Sequence, residues 1–168
     1  GGNRRVLLVG SGDEYGLVSP EDIPVKETVL PRPGNVYAVS KVSQNLLGGV
    51  YARAYQMDVL MTRAFNHFGP GQAPTFVVAD FCRQVAEIEA GRRENVIRVG
   101  NLAAKRNFTD VRDVVAAYAL LAQKGEKGET YNVGSPASVV IQDLLDRILE
   151  MARVPITVEV DAAKLRPL

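Results

Sequence analysis

Tyr37 and Lys41 stand four residues apart in a segment without proline, so on a helix their side chains share one face. A phenol with an ordinary pKa of about 10 exchanges protons poorly near neutrality, and a neighbouring ammonium favours its phenolate form. Such a pair suits general acid–base proton transfer. The same spacing occurs by chance on many helix surfaces, so taken alone the pair reads as an ordinary helix face. Ser11 ends an apolar run, where a hydroxyl is well placed to donate a hydrogen bond into a site. The surrounding Gly10-Ser11-Gly12-Asp13-Glu14-Tyr15-Gly16 invites comparison with a dinucleotide-binding glycine loop. That loop must open a helix whose amino terminus holds the pyrophosphate, and here a proline-rich stretch follows. A tight turn is the competing reading, with Asp13 and Glu14 as solvated charges.

These residues need a scaffold, and the hydrophobic pattern supplies one. Arg5–Val9 is a short apolar run stopped by Gly10, read as a strand buried on both faces. Pro20, Pro24, Pro31 and Pro33 make 17–34 a loop, long enough to cover a site. Asn35 caps a helix over Val36–Tyr55, in which Gly48 and Gly49 permit close packing. Asp58–Ala64 is a strand, Gly69-Pro70-Gly71 a turn, Phe76–Ala90 a helix ended by Gly91, and Val96–Val99 a strand. Asp110 and Asp113 open a helix that runs to Lys124 and stops at Gly125. Thr130–Val133 is a strand. Ile141, Leu144, Leu145, Ile148 and Leu149 form one helix face, and Ile156–Val160 alternates like a strand. Strands alternating with helices predict an α/β fold with a mainly parallel sheet, which gathers ligands at its carboxyl edge.

Composition narrows the function. Twenty basic and nineteen acidic residues leave a net charge of +1, which gives no general attraction to nucleic acid or an anionic membrane, so an anionic ligand must be caught locally. The longest apolar stretch, 114–122, is too short to span a bilayer, and a cytoplasmic location is expected. The lone cysteine, Cys82, excludes an internal disulfide and reads as a buried thiol. The residues single out no metal site.

Ser11 before a long loop and Tyr37-Ala38-Val39-Ser40-Lys41 at the head of a helix resemble the serine, tyrosine and lysine of short-chain dehydrogenase/reductases. Further motifs follow in order: Arg63-Ala64-Phe65-Asn66-His67-Phe68-Gly69-Pro70-Gly71-Gln72, Val96-Ile97-Arg98-Val99-Gly100-Asn101, Arg106-Asn107-Phe108-Thr109-Asp110-Val111-Arg112-Asp113 and Tyr131-Asn132-Val133-Gly134. Together they are similar to the extended, epimerase/dehydratase family, in its GDP-sugar branch of GDP-6-deoxy-4-keto-mannose reductases and GDP-mannose 4,6-dehydratases. The resemblance implies that Tyr37 moves a proton at the sugar oxygen and also contacts the cofactor, that Ser11 hydrogen-bonds the same oxygen, and that Lys41 holds the nicotinamide ribose. It implies sugar-nucleotide contact at Asn66, cofactor contact at His67, and diphosphate contact at Arg106 and Arg166, whose guanidinium forks suit phosphates. Without the resemblance, His67 would read as a structural histidine and both arginines as solvated surface.

The resemblance also implies an NADP or NAD cofactor, a GDP-sugar ligand, and a homodimer through helices 36–55 and 76–90. In its terms the chain is an incomplete Rossmann-like sheet, the later strands of a doubly wound fold, with part of the small substrate-binding lobe. The single truncated domain, 1–168, then divides into a catalytic half, 1–72, and a mixed sheet-completing and substrate-lobe part, 73–168. No glycine-rich strand–turn–helix precedes Arg5, so weak cofactor binding and no turnover are expected of the chain alone. In dehydratases of this branch a glutamate lies two residues before the loop tyrosine, where this chain has Asp13, and the loop looks more like that of a reductase. A dehydratase-like fragment and an inactive GDP-sugar-binding module or structural remnant are the alternatives. Asn107 stands where the family has aspartate, and Val140 where a capping hydroxyl is expected.

Overall fold

The structure is a computed structural model that describes residues 4–165, so Arg166 lies outside the described residues. In chain order the elements are β1 (Val6–Ser11), α1 (Val36–Ala54), β2 (Val59–Ala64), β3 (His67–Phe68), α2 (Val77–Glu89), β4 (Val96–Val99), β5 (Lys105–Asn107), β6 (Thr109–Asp110), α3 (Val111–Lys124), β7 (Thr130–Val133), β8 (Ser138–Val140), α4 (Ile141–Glu150) and β9 (Thr157–Val160). Short 3-10 turns occupy Gly12–Tyr15, Pro20–Asp22 and Ala162–Lys164. Contacts group these into two units, Gly1–His67 with Phe108–Pro136, and Phe68–Asn107 with Ala137–Leu168.

The first unit is a parallel sheet in the order β1-β2-β7. Its central strand β2 is buried at every position, as expected for a strand with a neighbour on each side and helices on both faces. The sequence reading of β1 as buried on both faces needs correcting, since Val6 and Val9 are 37% and 42% exposed. β1 has one described neighbour, and an apolar run alone does not reveal which strand lies at an edge. Ala52 of α1, Val59, Met61 and Leu8 pack as one cluster, while Ala64, Val133 and the α3 residues Val114, Ala117, Tyr118 and Leu121 pack as another. Gly48 lets α1 approach closely, for a Cβ there would lie 2.6 Å from Leu8 Cδ1 and 2.8 Å from Met61 Sδ.

The second unit pairs β4 with β9 in parallel and β5 with β8 antiparallel, and α2 packs on α4 and β4. On α2 the buried residues Val78, Phe81, Val85 and Ile88 form one stripe, with Gln84 buried beside them. Cys82 falls off that stripe and is exposed, which corrects its reading as a buried thiol. Burial of part of its surroundings still pushes the thiol above its ordinary pKa, against a weaker opposing backbone hydrogen bond. Val140 caps α4 without a side-chain hydrogen bond. Backbone carbonyls take over, with Ala104 O accepting from Ile141 N–H and Leu102 O from Gln142 N–H, each at 3.0 Å.

Candidate functional site

Five of the residues singled out in the sequence lie at the carboxyl edge of the first unit. Ser11 ends β1 in register with Ala64, the last residue of the parallel strand β2, and Asn66 and His67 follow directly. Tyr37 and Lys41 occupy the first turns of α1, the helix reached from that edge. Asn35 fixes the start of this helix, its Oδ1 accepting from the Ala38 N–H at 2.8 Å. Helix α1 therefore begins where the sequence predicts, and Tyr37 is placed one residue inside it.

Lys41 bridges helix and strand. Its Nζ donates to the Val9 carbonyl at 2.9 Å, two residues before Ser11, and sits 5.8 Å from the centroid of the Tyr37 ring. Tyr37 is 53% exposed and open to a ligand. Ser11 Oγ accepts from Asp13 N–H at 3.2 Å, capping the 3-10 turn that follows, which leaves its O–H to donate elsewhere. A four-residue 3-10 turn, not an α-helix, therefore opens at the glycine loop. Gly16 ends it at φ 63°, and a Cβ there would meet Arg32 O at 1.9 Å, so no other residue fits the exit.

Asn66 is exposed, and its carbonyl accepts from Thr109 N–H at 3.0 Å, which ties the segment after β2 to the start of α3. His67 is exposed, with Nδ1 3.1 Å from Phe65 O. Arg106 belongs to the second unit, where it lies exposed on β5 and donates to the Lys105 carbonyl at 2.9 Å. Asn107, also on β5, donates from Nδ2 to Ala137 O at 2.9 Å.

Glu14 is the residue whose role sequence reading missed. It is wholly buried and forms an ion pair with Arg63 at 3.1 Å, so it is no solvated loop charge. Arg63 Nη1 donates to Tyr15 Oη at 2.9 Å, and that hydroxyl donates to Asn132 Oδ1 on β7 at 2.7 Å. One signal was available. Arginine inside the apolar strand Val59–Ala64 implies a buried partner, because an unpaired guanidinium is not buried cheaply. A cavity of about 150 Å³ adjoins this network, with Glu14, Asn45, Arg53 and Arg63 among its lining residues. A larger one, about 260 Å³, is formed by 15–32 alone and is lined by none of the five edge residues.

A parallel sheet flanked by helices, with serine, tyrosine and lysine at its carboxyl edge, defines a Rossmann-like α/β protein of the epimerase/dehydratase kind. The chain belongs to the family described as GDP-mannose 4,6 dehydratase, whose model matches residues 2–167. It is 38% identical over 160 residues to a GDP-6-deoxy-D-mannose reductase of Pseudomonas aeruginosa, covering 95% of this chain and 53% of that protein. It is 32% identical over 143 residues to a GDP-mannose 4,6 dehydratase of Dictyostelium discoideum, covering 85% and 39%. Among solved structures, that of RMD from Pseudomonas aeruginosa complexed with NADPH superposes with a TM-score of 0.90 at 37% identity, over 96% of this chain and 54% of that one. A UDP-N-acetylglucosamine 4-epimerase from Methanobrevibacter ruminantium, in complex with UDP-N-acetylmuramic acid, gives 0.81 at 28%, over 97% and 51%. The chain thus spans about half the length, or less, of these relatives.

Proposed function

We propose that this chain is the substrate-side part of a nicotinamide-dependent oxidoreductase that reduces a GDP-linked 4-keto-6-deoxy sugar. The observation that carries the reading is Lys41, whose ammonium is held on the Val9 carbonyl of β1, two residues before Ser11, and lies over the Tyr37 ring. Tyr37 gives its phenolic proton to the sugar oxygen as the carbonyl becomes a hydroxyl, and Ser11 donates a hydrogen bond to the same oxygen. Lys41 spends one of its three N–H bonds on Val9 O, and the other two suit the hydroxyls of a nicotinamide ribose. A bound NADPH or NADH supplies the hydride. His67 contacts that cofactor, Asn66 the sugar nucleotide, and Arg106 and Arg166 the diphosphate.

The alternative GDP-mannose 4,6-dehydratase reading retains one exposed carboxylate two residues before Tyr15, that of Asp13, but not the glutamate that the resemblance places there. Glu14 offers that reaction nothing, because its carboxylate is fully engaged by buried donors. Calorimetric titration tests the proposal. GDP-mannose and GDP are expected to bind the purified chain, and Arg106→Ala is expected to weaken both by roughly 1.5 to 3 kcal/mol, the usual cost of losing a charge-assisted contact. No heat from either nucleotide would refute the assignment, and unchanged affinity in the variant would remove Arg106 from the site.

A further inference from the structure

We propose that Glu14 is a positioning residue that sets Ser11 in register with Tyr37 and Lys41, an inference that rests on the reading of those three as the reacting group. Its carboxylate is surrounded by donors. Oε1 accepts from the Ser11 backbone N–H at 2.9 Å and from Asn45 Nδ2 at 2.8 Å. Oε2 accepts from the same amide at 2.7 Å and from Arg63 Nε at 3.1 Å. Glu14, Asn45 and Arg63 are 0%, 6% and 8% exposed, so the contacts form away from water, where such bonds are strongest and their loss most costly.

The placement of Asn45 turns this buried cluster into a register device. Asn45 follows Lys41 by four residues and Tyr37 by eight, so all three fall along one face of α1. The helix is therefore pinned to the end of β1 three times, by Lys41 and Gln44 on Val9 O and by Asn45 through Glu14 to Ser11 N–H, and only the last of these reaches Ser11. Arg63 adds β2 to the clamp, since it lies in register with Gly10, the residue before Ser11. Gly10 makes room for the carboxylate, for a Cβ there would stand 2.3 Å from Glu14 Oε1 and 2.8 Å from Asn45 Nδ2. Glutamate is required by chemistry as well as by space. An amide at this position would aim its NH₂ at other donors, and aspartate is one methylene too short to reach them all.

Being fully buried, Glu14 touches no ligand, and its effect is felt at the sugar end of the site and not at the nucleotide end. Calorimetry on the purified chain compares GDP with GDP-mannose for the wild type, Glu14→Gln, Ser11→Ala and the double variant. The expected result for Glu14→Gln is unchanged GDP affinity with a roughly tenfold fall in the preference for GDP-mannose, about the worth of one well-placed hydrogen bond from Ser11 to the sugar. Because Glu14 acts through Ser11, the double variant falls no further than Ser11→Ala. Additive losses, or an unchanged preference in a folded variant, overturn the proposal. Should Glu14→Gln not fold by circular dichroism, Asn45→Ala keeps the ion pair, cuts only the tie to the helix, and decides the matter by the same ratio. If the wild type binds neither nucleotide, the functional reading fails by itself. Positioning is then judged by NMR without ligand, where Asn45→Ala is expected to shift both the Ser11 amide and the Tyr37 ring signals. A Tyr37 ring that does not respond overturns it.

Discussion

Asp80 shows how single charges are balanced in the second unit. Burial works against its ionised form, yet hydrogen bonds and charge from Lys164 and Arg83 outweigh burial and hold the carboxyl below its ordinary 3.8. Lys164 Nζ lies 2.7 Å from Oδ2, and Arg83 Nη2 2.9 Å from Oδ1. A depressed folded pKa means stability that is fully present above 3.8 and lost as pH falls through the lower folded value. Lys164→Ala should therefore lower the melting temperature at pH 6 by the equivalent of about 0.5 kcal/mol, as befits a solvent-screened pair. Melts at descending pH check the sign, since the gap to the wild type must close below 3.8. The Arg83 contact is ordinary helix spacing, whereas the Lys164 contact was not legible in the sequence, where Asp80 and Lys164 are 84 positions apart. The proximity of Tyr37 and Lys41 was legible from helix spacing, their joint role only from the motifs around them, and Glu14 was missed because Arg63 reaches it from 49 positions away.

Element starts and stops were legible wherever a local device sets them. Asn35 and Asp110 cap α1 and α3 as read from the sequence, each accepting from a backbone N–H of the first turn. Asn35→Ala is expected to cost about 1 kcal/mol of stability. It should also loosen the turn that carries Tyr37, and urea unfolding with hydrogen exchange at Ala38 measures both effects. The two-residue and three-residue strands β3, β5, β6 and β8 were not legible, because pieces so short carry no periodicity and owe their form to the partner strand. On α1 the outward residues Val39, Leu46, Leu47, Val50 and Tyr51 recur at helical spacing and are each more than two-fifths exposed. An apolar stripe of this kind suits a second copy of the chain, as the family resemblance implies. Light scattering is expected to give a dimer mass at micromolar concentration, and Leu47→Arg to give a monomer. A wild-type monomer would dispose of the idea.

At the scale of the whole molecule, the chain passes between its two units three times, at 67–68, 107–108 and 136–137. A reading by motif order divides it once, at 72. Pattern reports elements, whereas the segment 108–136 joins the first unit through the pairing of β7 with β2 and the packing of α3, which are long-range facts. This arrangement bears on activity. Among the described residues, the glycine cluster 10–16 leads into a 3-10 turn, so no α-helix amino terminus faces a pyrophosphate there. Hydride transfer depends on holding the nicotinamide in a near-attack geometry, and that geometry draws on binding energy from the remote parts of the dinucleotide. On the proposed reading, Lys41, Tyr37 and His67 would reach only the nicotinamide end, and three such contacts would not offset the cost of ordering so large a ligand. The 168-residue chain by itself is therefore expected to bind NADPH too weakly for calorimetry and to leave it unoxidised in the presence of a GDP-linked 4-keto-6-deoxy sugar. Loss of absorbance at the reduced-nicotinamide band, abolished by Tyr37→Phe, would show that these three contacts are enough.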